Sequence, residues 1–439
     1  MDIRLHIKRL GKIRDAEIVI SPLTIFYGDS GLGKSYLAML VYYFYAILWD
    51  KSTRFTDFFN EKGFVYKNMA SSFRGEGVAL RFSKGELERW MAQDALMYLR
   101  YLLKNDDLDG EFSIELPQTI DDEIEFRYKE ELTGLVNEDD VSIILSSKSI
   151  DFRVGNKGNN DIIDDVRSPF AFLLGVELIE SLFGRFDNFR NAFCLPPSRG
   201  LLLTENVYAK TGLVNDFSLQ KYRLEKATEL KQNVSNYLID LMHQILEGDV
   251  RQSENGEYSY YTHDHRMPLS AAAASIREIA PLFMIASKTN VSKISLLFEE
   301  PEAHLHPLKQ RMIADVVSAF VSSGASLQIT THSDYFLRRL NELILMSKLK
   351  EKDAEKFSKF CQEYHVSESL ALDFRKIKAY YLYEDVDSIV RVESQNLENG
   401  IPFTSFHEAI ENSFKIQSKL NDELLDDSDN NDDLNCGQD

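Results

Sequence analysis

At 439 residues, with 44% apolar and 27% charged residues, the chain has the make-up of a folded protein with one large core or two moderate ones. Its net charge of -20 excludes a general DNA coat, because non-specific nucleic-acid binding needs Lys and Arg to displace phosphate counterions; Arg338-Arg339 and Lys8-Arg9 are the local basic patches. Cys194, Cys361 and Cys436 lack metal-ligand spacing and fit a reduced, cytoplasmic setting, Met1 to His6 has no signal-peptide core, and the longest apolar stretch, Tyr36 to Trp49, is too short to cross a bilayer.

In chain order, residues 2–27 read as three short strands, Ile3 to Ile7, Ala16 to Ile20 and Leu23 to Tyr27. The third runs into Gly28-Asp29-Ser30-Gly31-Leu32-Gly33-Lys34-Ser35, which spells G-x-x-x-x-G-K-S, and a buried helix is predicted from Tyr36 to Trp49. Glycines at these spacings let backbone N–H groups curl around β- and γ-phosphates, and the positive end of the helix dipole faces the same anion. Lys34 is expected to reach the phosphate oxygens and the Ser35 hydroxyl to hold Mg²⁺, which implies a nucleoside triphosphate, ATP, as ligand.

Residues 52–190 carry no catalytic pattern and read as an α+β insertion, with a helix over Lys84 to Leu103 and strands at Ile124 to Tyr128 and Val141 to Leu145. Asn156 to Asn160 reads as an exposed loop. Leu195-Pro196-Pro197-Ser198-Arg199-Gly200 returns the chain to the core, Phe217 to Leu246 has apolar residues at helical spacing, and Arg251 to Tyr261 reads as a hairpin turned at Asn255-Gly256. From Asp422 the tail is rich in Asp and Asn and is expected to be disordered, since it has too little apolar surface to offset its ordering entropy.

Ile294 to Phe298 is an unbroken apolar run ending in Glu299-Glu300, the pattern of a buried parallel strand whose carboxyl end opens into a site. Two adjacent acids there call for a cation; Glu299 suits an outer Mg²⁺ ligand and Glu300 a general base aligning water. A helix over Leu308 to Ser322 and a strand over Ser326 to Thr330 follow, a right-handed crossover that sets His332 beside Glu299, in reach of a γ-phosphate. Upstream, Ser275 and Glu278 form S-x-x-E, predicting a capped helix that Pro281 kinks. The small residues Ala271 to Ala274 before it allow close approach to a phosphate held by another subunit.

This order of elements resembles the ABC-type branch of P-loop ATPases, which includes SMC and RecF heads. The phrases Phe298-Glu299-Glu300-Pro301-Glu302-Ala303-His304-Leu305-His306-Pro307 and Thr331-His332-Ser333 look more closely like AAA-type or OLD-like ATPases. The resemblance implies an α/β P-loop NTPase with a mixed, largely parallel sheet. Its parts would be an N-terminal ATPase lobe (1–51, Walker A), the α+β insertion (52–190), a C-terminal lobe (191–420, signature-like loop, Walker B and His switch) and an acidic tail (421–439). It implies catalytic roles for Lys34, Glu300 and His332, and a homodimer or higher homo-oligomer in which Ser275 of one copy completes the other's site. The chain departs from the family at Ala273-Ala274-Ser275, where Ser-Ser-Gly is usual, so either turnover is expected to be slow or ATP to serve mainly in holding an assembly together; no stretch reads as a Q-loop.

Glu384-Asp385-Val386-Asp387 reads as solvated acids and His263-Asp264-His265 lacks further ligand spacing, so no nuclease of its own is expected; His304 and His306 read as structural or dimer-facing. The resemblance extends to sensor or scaffold subunits of bacterial antiphage systems such as PARIS or Septu, implying a separately encoded nuclease-like effector, a DNA or phage-protein trigger and no membrane. The alternatives are a RecF-like repair or chromosome-maintenance ATPase and a nucleotide-gated structural protein. The absence of long heptads argues against SMC proteins proper.

Overall fold

The computed structural model describes residues 3–49, 51–64, 78–132, 141–148, 151–155, 169–184, 191–204, 210–227, 236–253, 256–402 and 411–424. Strands β1 (Arg4–Leu10) and β2 (Ile13–Val19) alternate buried and exposed residues, as half-buried antiparallel strands must. Every residue of β3 (Leu23–Gly28) is buried, and α1 (Lys34–Trp49) is buried without a break from Leu37 to Leu48 because it is apolar on all sides. Then come α2 (Phe55–Glu61), β4 (Val78–Ser83), α3 (Lys84–Leu103), β5 (Gly110–Glu115), β6 (Glu123–Leu132), β7 (Val141–Ser146), β8 (Asp151–Gly155), α4 (Pro169–Phe183) and β9 (Asn191–Leu195). The second half holds α5 (Arg199–Thr204), α6 (Gly212–Lys226), α7 (Asn236–Leu246), β10 (Asp249–Gln252), β11 (Tyr258–Tyr261), β12 (Arg266–Pro268), α8 (Ala274–Lys288), β13 (Ile294–Glu299), α9 (Pro307–Ser322), β14 (Ser326–Thr331), α10 (Asp334–Lys352), α11 (Ala354–Glu363), β15 (Ile377–Glu384) and β16 (Val390–Ser394).

The core is a mixed nine-stranded sheet in the order β5-β1-β2-β16-β15-β3-β14-β13-β9. Its parallel part is β15-β3-β14-β13-β9; β3, β13 and β14 are buried along almost their whole length, as strands covered on both faces are, whereas β15 exposes Lys378, Tyr383 and Glu384. β3, which carries the glycine-rich loop, sits between β15 and β14. The crossover β13–α9–β14 pairs Glu299 with Thr330, so the acids and the residues after β14 emerge side by side. Two smaller antiparallel sheets stand apart, β4-β6-β7-β8 and β10-β11-β12.

Several expectations change. The stretch 52–190 is α+β in content, but its β5 pairs with β1 as an edge strand of the core sheet, and α3 lies on α1. Buried carboxylates fasten this part inward: Asp94 accepts from Tyr43 (2.9 Å) and Arg54 Nε (2.9 Å), and Asp216 from Lys51 (3.0 Å) and Tyr101 (3.1 Å). The helix expected from Phe217 to Leu246 ends at Lys226, where Ala227 turns extended, and resumes at Asn236. The capping box expected at Ser275 and Glu278 is not formed: α8 starts at Ala274 behind Ala273 with no side-chain cap, because Glu278 is drawn into the core. A capping box forms instead at Ser83 and Glu86, opening α3. The loop expected at Asn156 to Asn160 lies outside the described residues, as does Asn255 of the expected hairpin turn; the strands that would flank it, β10 and β11, do pair. Residues 411–424 are helical and exposed, so the expected tail opens inside a helix and its remainder, 425–439, lies outside the described residues. Among the described residues no helix is long and apolar enough to cross a membrane.

Candidate nucleotide site

The loop leaving β3 is built on backbone only glycine adopts easily: Gly28, Gly31 and Gly33 have φ of 131°, 80° and 87°. At Gly28 there is a second reason. A Cβ there would lie 2.2 Å from the Leu382 carbonyl oxygen on β15, a backbone atom that cannot step aside. Gly28→Ala is therefore expected to lower stability by about 3 kcal/mol or more, measured by denaturant unfolding. A change under about 1 kcal/mol would mean that β3 and β15 are not so closely paired.

Lys34, buried at the first turn of α1, curls back and donates from Nζ to the carbonyls of Gly28 (3.0 Å) and Asp29 (2.7 Å). Burial lowers its pKa to about 8 against the opposing pull of Glu300, Asp29 and Glu302. Asp29, Ser30 and Gly31 are exposed at the loop tip, while Leu32 is buried beneath it. The loop faces a cleft of about 650 Å³ walled by Glu300, Thr330 and His332, by the β1–β2 turn at Gly11 to Ile13, and by Asn105 and Asp107 to Asp109.

Glu299 ends β13 and is 3% exposed. Burial raises its pKa to about 7, the nearby Ser35 hydroxyl works the other way, and its Oε1 has no hydrogen-bond partner among the described residues. A buried carboxylate with an idle oxygen beside a hydroxyl fits a Mg²⁺ ion, which takes few protein ligands and fills its shell with phosphate oxygens and water. Glu300, next along, stands in left-handed backbone (φ 45°), its N–H donating to the Thr330 carbonyl at 3.0 Å. Its Oε1 lies 3.7 Å from His332 Nε2, and His332 Nδ1 lies 3.5 Å from Lys34 Nζ. Burial, then Lys34, lowers the His332 pKa, so the ring is neutral at neutral pH. The structure thus brings Lys34, Ser35, Glu299, Glu300 and His332 to one sheet edge. Ser275, half-buried on α8, is not among the residues lining this cleft.

Two residues at this edge were not among the sequence-derived site residues. Glu302 is half-buried and accepts from the His332 N–H (2.7 Å) and the Thr331 hydroxyl (2.8 Å), fixing the turn that presents His332. Its signal was present in the Glu-Glu-Pro-Glu phrase. Arg199, 1% exposed, donates to the carbonyls of Glu278 (3.0 Å) and Glu299 (3.0 Å), approaches the Glu300 carbonyl at 3.4 Å and lies over the Phe298 ring. Desolvation lowers its pKa to about 10, which leaves it charged at neutral pH. Nothing in the Pro-Pro-Ser-Arg-Gly phrase marks this arginine; it is enclosed where α5 packs on α8 beside the end of β13.

Other sequence candidates have local partners. Lys8 pairs with Glu111 and Arg9 with Asp109, while Arg338 pairs with Asp334 and Arg339 with Asp315 and Glu342. His306 caps α9 and His304 is exposed in left-handed backbone. Asp385 accepts from the backbone of Asp387 and Ile389 and pairs with Arg391, holding the β15–β16 turn; His263 and His265 sit exposed beyond β11.

The mixed sheet of this α/β fold brings the glycine-rich loop, the acids that end β13 and His332 to one edge, with a cleft beside them. Residues 211–337 match the family model described as an AAA ATPase domain, which spans the region from α6 through β14. No curated protein matches the chain. Among solved structures, the chain is similar to an SMC head bound to the C-winged helix domain of ScpA, at 11% identity over 91% of this chain and 98% of that one, with a TM-score of 0.37. It is also similar to the SMC head domain from Thermotoga maritima, at 10% identity over 90% of this chain and 100% of that one, with a TM-score of 0.33. An SMC head with an extended coiled coil from Pyrococcus furiosus, bound to the C-terminal domain of ScpA, matches at 11% identity over 94% and 98%, with a TM-score of 0.35.

Proposed function

We propose that this chain binds ATP with Mg²⁺ in the cleft, hydrolyses it, and serves as the sensor or scaffold subunit of a bacterial antiphage system that controls a separate, nuclease-like effector. The observation that carries the ATPase reading is the meeting of Lys34, Ser35, Glu299, Glu300 and His332, drawn from positions remote in the chain, at one sheet edge. Lys34 would hold the phosphates, and Ser35 and Glu299 would hold the ion, which when bound would offset negative charge on the phosphates. Glu300 takes a proton from water as its oxygen bonds to the γ-phosphorus and the bond to the β-phosphate oxygen breaks, releasing ADP and phosphate. Neutral His332 donates a hydrogen bond toward the γ-phosphate. The loop Ala273 to Ser275 would face a nucleotide held by a second copy, and its lack of the usual hydroxyl and glycine favours slow turnover.

The sensor role is supported by the resemblance of the Glu-Glu-Pro-Glu-Ala-His-Leu-His-Pro phrase, and the pairing of the sequence's basic patches with acids weighs against DNA as the main ligand. The test is Mg²⁺-dependent ATP hydrolysis by the full chain, with and without DNA, together with co-expression of the neighbouring gene. A toxic neighbour neutralised by this chain supports the defence role. DNA-stimulated hydrolysis that collapses with salt would replace it by the repair role. ATP binding without hydrolysis would leave a nucleotide-gated assembly protein.

A further inference from the structure

We propose that Arg199 is the positioning residue that holds the Glu299–Glu300 corner in its working geometry and ties it to the start of α8. A cation 1% exposed would be costly unless its donors were taken up, and the guanidinium spends them on backbone on two sides. Nη1 donates to the Glu299 carbonyl and Nη2 faces that of Glu300, at the end of β13. Nε donates to the carbonyl of Glu278, whose carboxylate lies 3.6 Å away, in the second turn of α8. The corner needs holding: Glu300 has a φ of 45°, a region a side-chain-bearing residue keeps only when its surroundings over-determine it. Arg199 reaches it from a strained approach of its own, since Ser198 has a φ of 60°. Contact between α5 and α8 is close enough that a Cβ on Gly200 would lie 2.6 Å from the Arg277 carbonyl carbon. A displacement of α8, whose first turn follows the loop Ala271 to Ala273, is thereby carried by one side chain to the carboxylate that aligns water.

This inference rests on the ATPase reading, and the test separates the two. Full-length wild type, Arg199→Lys and Arg199→Gln are compared for ATP sites per chain, single-turnover rate per bound ATP, and amide exchange at Glu300 without nucleotide. ATP affinity is expected to stay within about threefold, because Lys34 and its loop are untouched. The rate per bound ATP is expected to fall about 30-fold or more in Arg199→Gln, and by less in Arg199→Lys, which keeps the charge but cannot span three carbonyls. Exchange at Glu300, whose N–H is bonded to Thr330, is expected to quicken about tenfold in Arg199→Gln. A merely structural arginine would reduce the number of competent sites and leave the rate per site and the local exchange unchanged, and that result overturns the proposal. Should wild type bind ATP without hydrolysing it, the ATPase reading fails while the exchange comparison still decides the role of Arg199. If Arg199→Gln does not fold, Arg199→Lys carries both measurements.

Discussion

Lys34→Ala is expected to abolish ATP binding, lowering affinity at least about 100-fold, or about 3 kcal/mol, as loss of a charge-assisted contact to the phosphates requires. The side chain is buried at the mouth of the loop, and its present partners are two loop carbonyls and the His332 ring, so phosphate oxygens would be far better acceptors for the same ammonium. The fold should survive. Burial opposes the charge of Lys34, so alanine removes a group whose desolvation is unfavourable, and unfolding stability should stay within about 1 kcal/mol of wild type. Titration calorimetry with ATP and Mg²⁺ reads the first quantity and urea unfolding the second. Unchanged ATP affinity in a folded variant would remove the phosphate-loop assignment.

Glu300→Gln should bind ATP within a few-fold of wild type and hold it uncleaved, with turnover reduced by about 100-fold or more, the usual contribution of a general base. Glutamine keeps the shape and leaves the backbone bond to Thr330 in place, but it cannot accept a proton from water. The carboxylate is half-exposed toward the cleft and 3.7 Å from His332, so it is the acid free to meet water. Glu299, sealed at 3% exposure beside Ser35, is placed for the ion instead. The two acids therefore separate experimentally: Glu299→Gln should weaken the dependence of binding on Mg²⁺, whereas Glu300→Gln should not. Rapid-quench measurement of phosphate release decides the matter, and normal turnover in Glu300→Gln would place the base elsewhere.

Much of this architecture was legible in the sequence because its signals are local or strictly periodic. The glycines of the loop must adopt positive φ, the apolar runs of β3, β13 and β14 must be buried on both faces, and the order strand–helix–strand leaves one hand for the crossover. Those constraints are enough to place Glu299 and His332 at one edge with Lys34. What was misjudged depended on partners far along the chain. S-x-x-E at Ser275 has the pattern of a cap, but Glu278 is the counter-charge of Arg199, 79 residues upstream. β5 lies inside a stretch without core motifs, and its place at the sheet edge is set by hydrogen bonds to β1, not by its composition.

By itself the sequence specified which residues are suited to a phosphate and a metal, since that chemistry demands particular groups at fixed spacings along strand ends. Tertiary structure alone decided which charges are buried. Arg199 and Lys8 look alike as letters in a loop or strand, yet one is enclosed beneath the two acids and the other is paired with Glu111 in water. Burial is a property of what packs on a residue from elsewhere in the chain, and no local pattern encodes it.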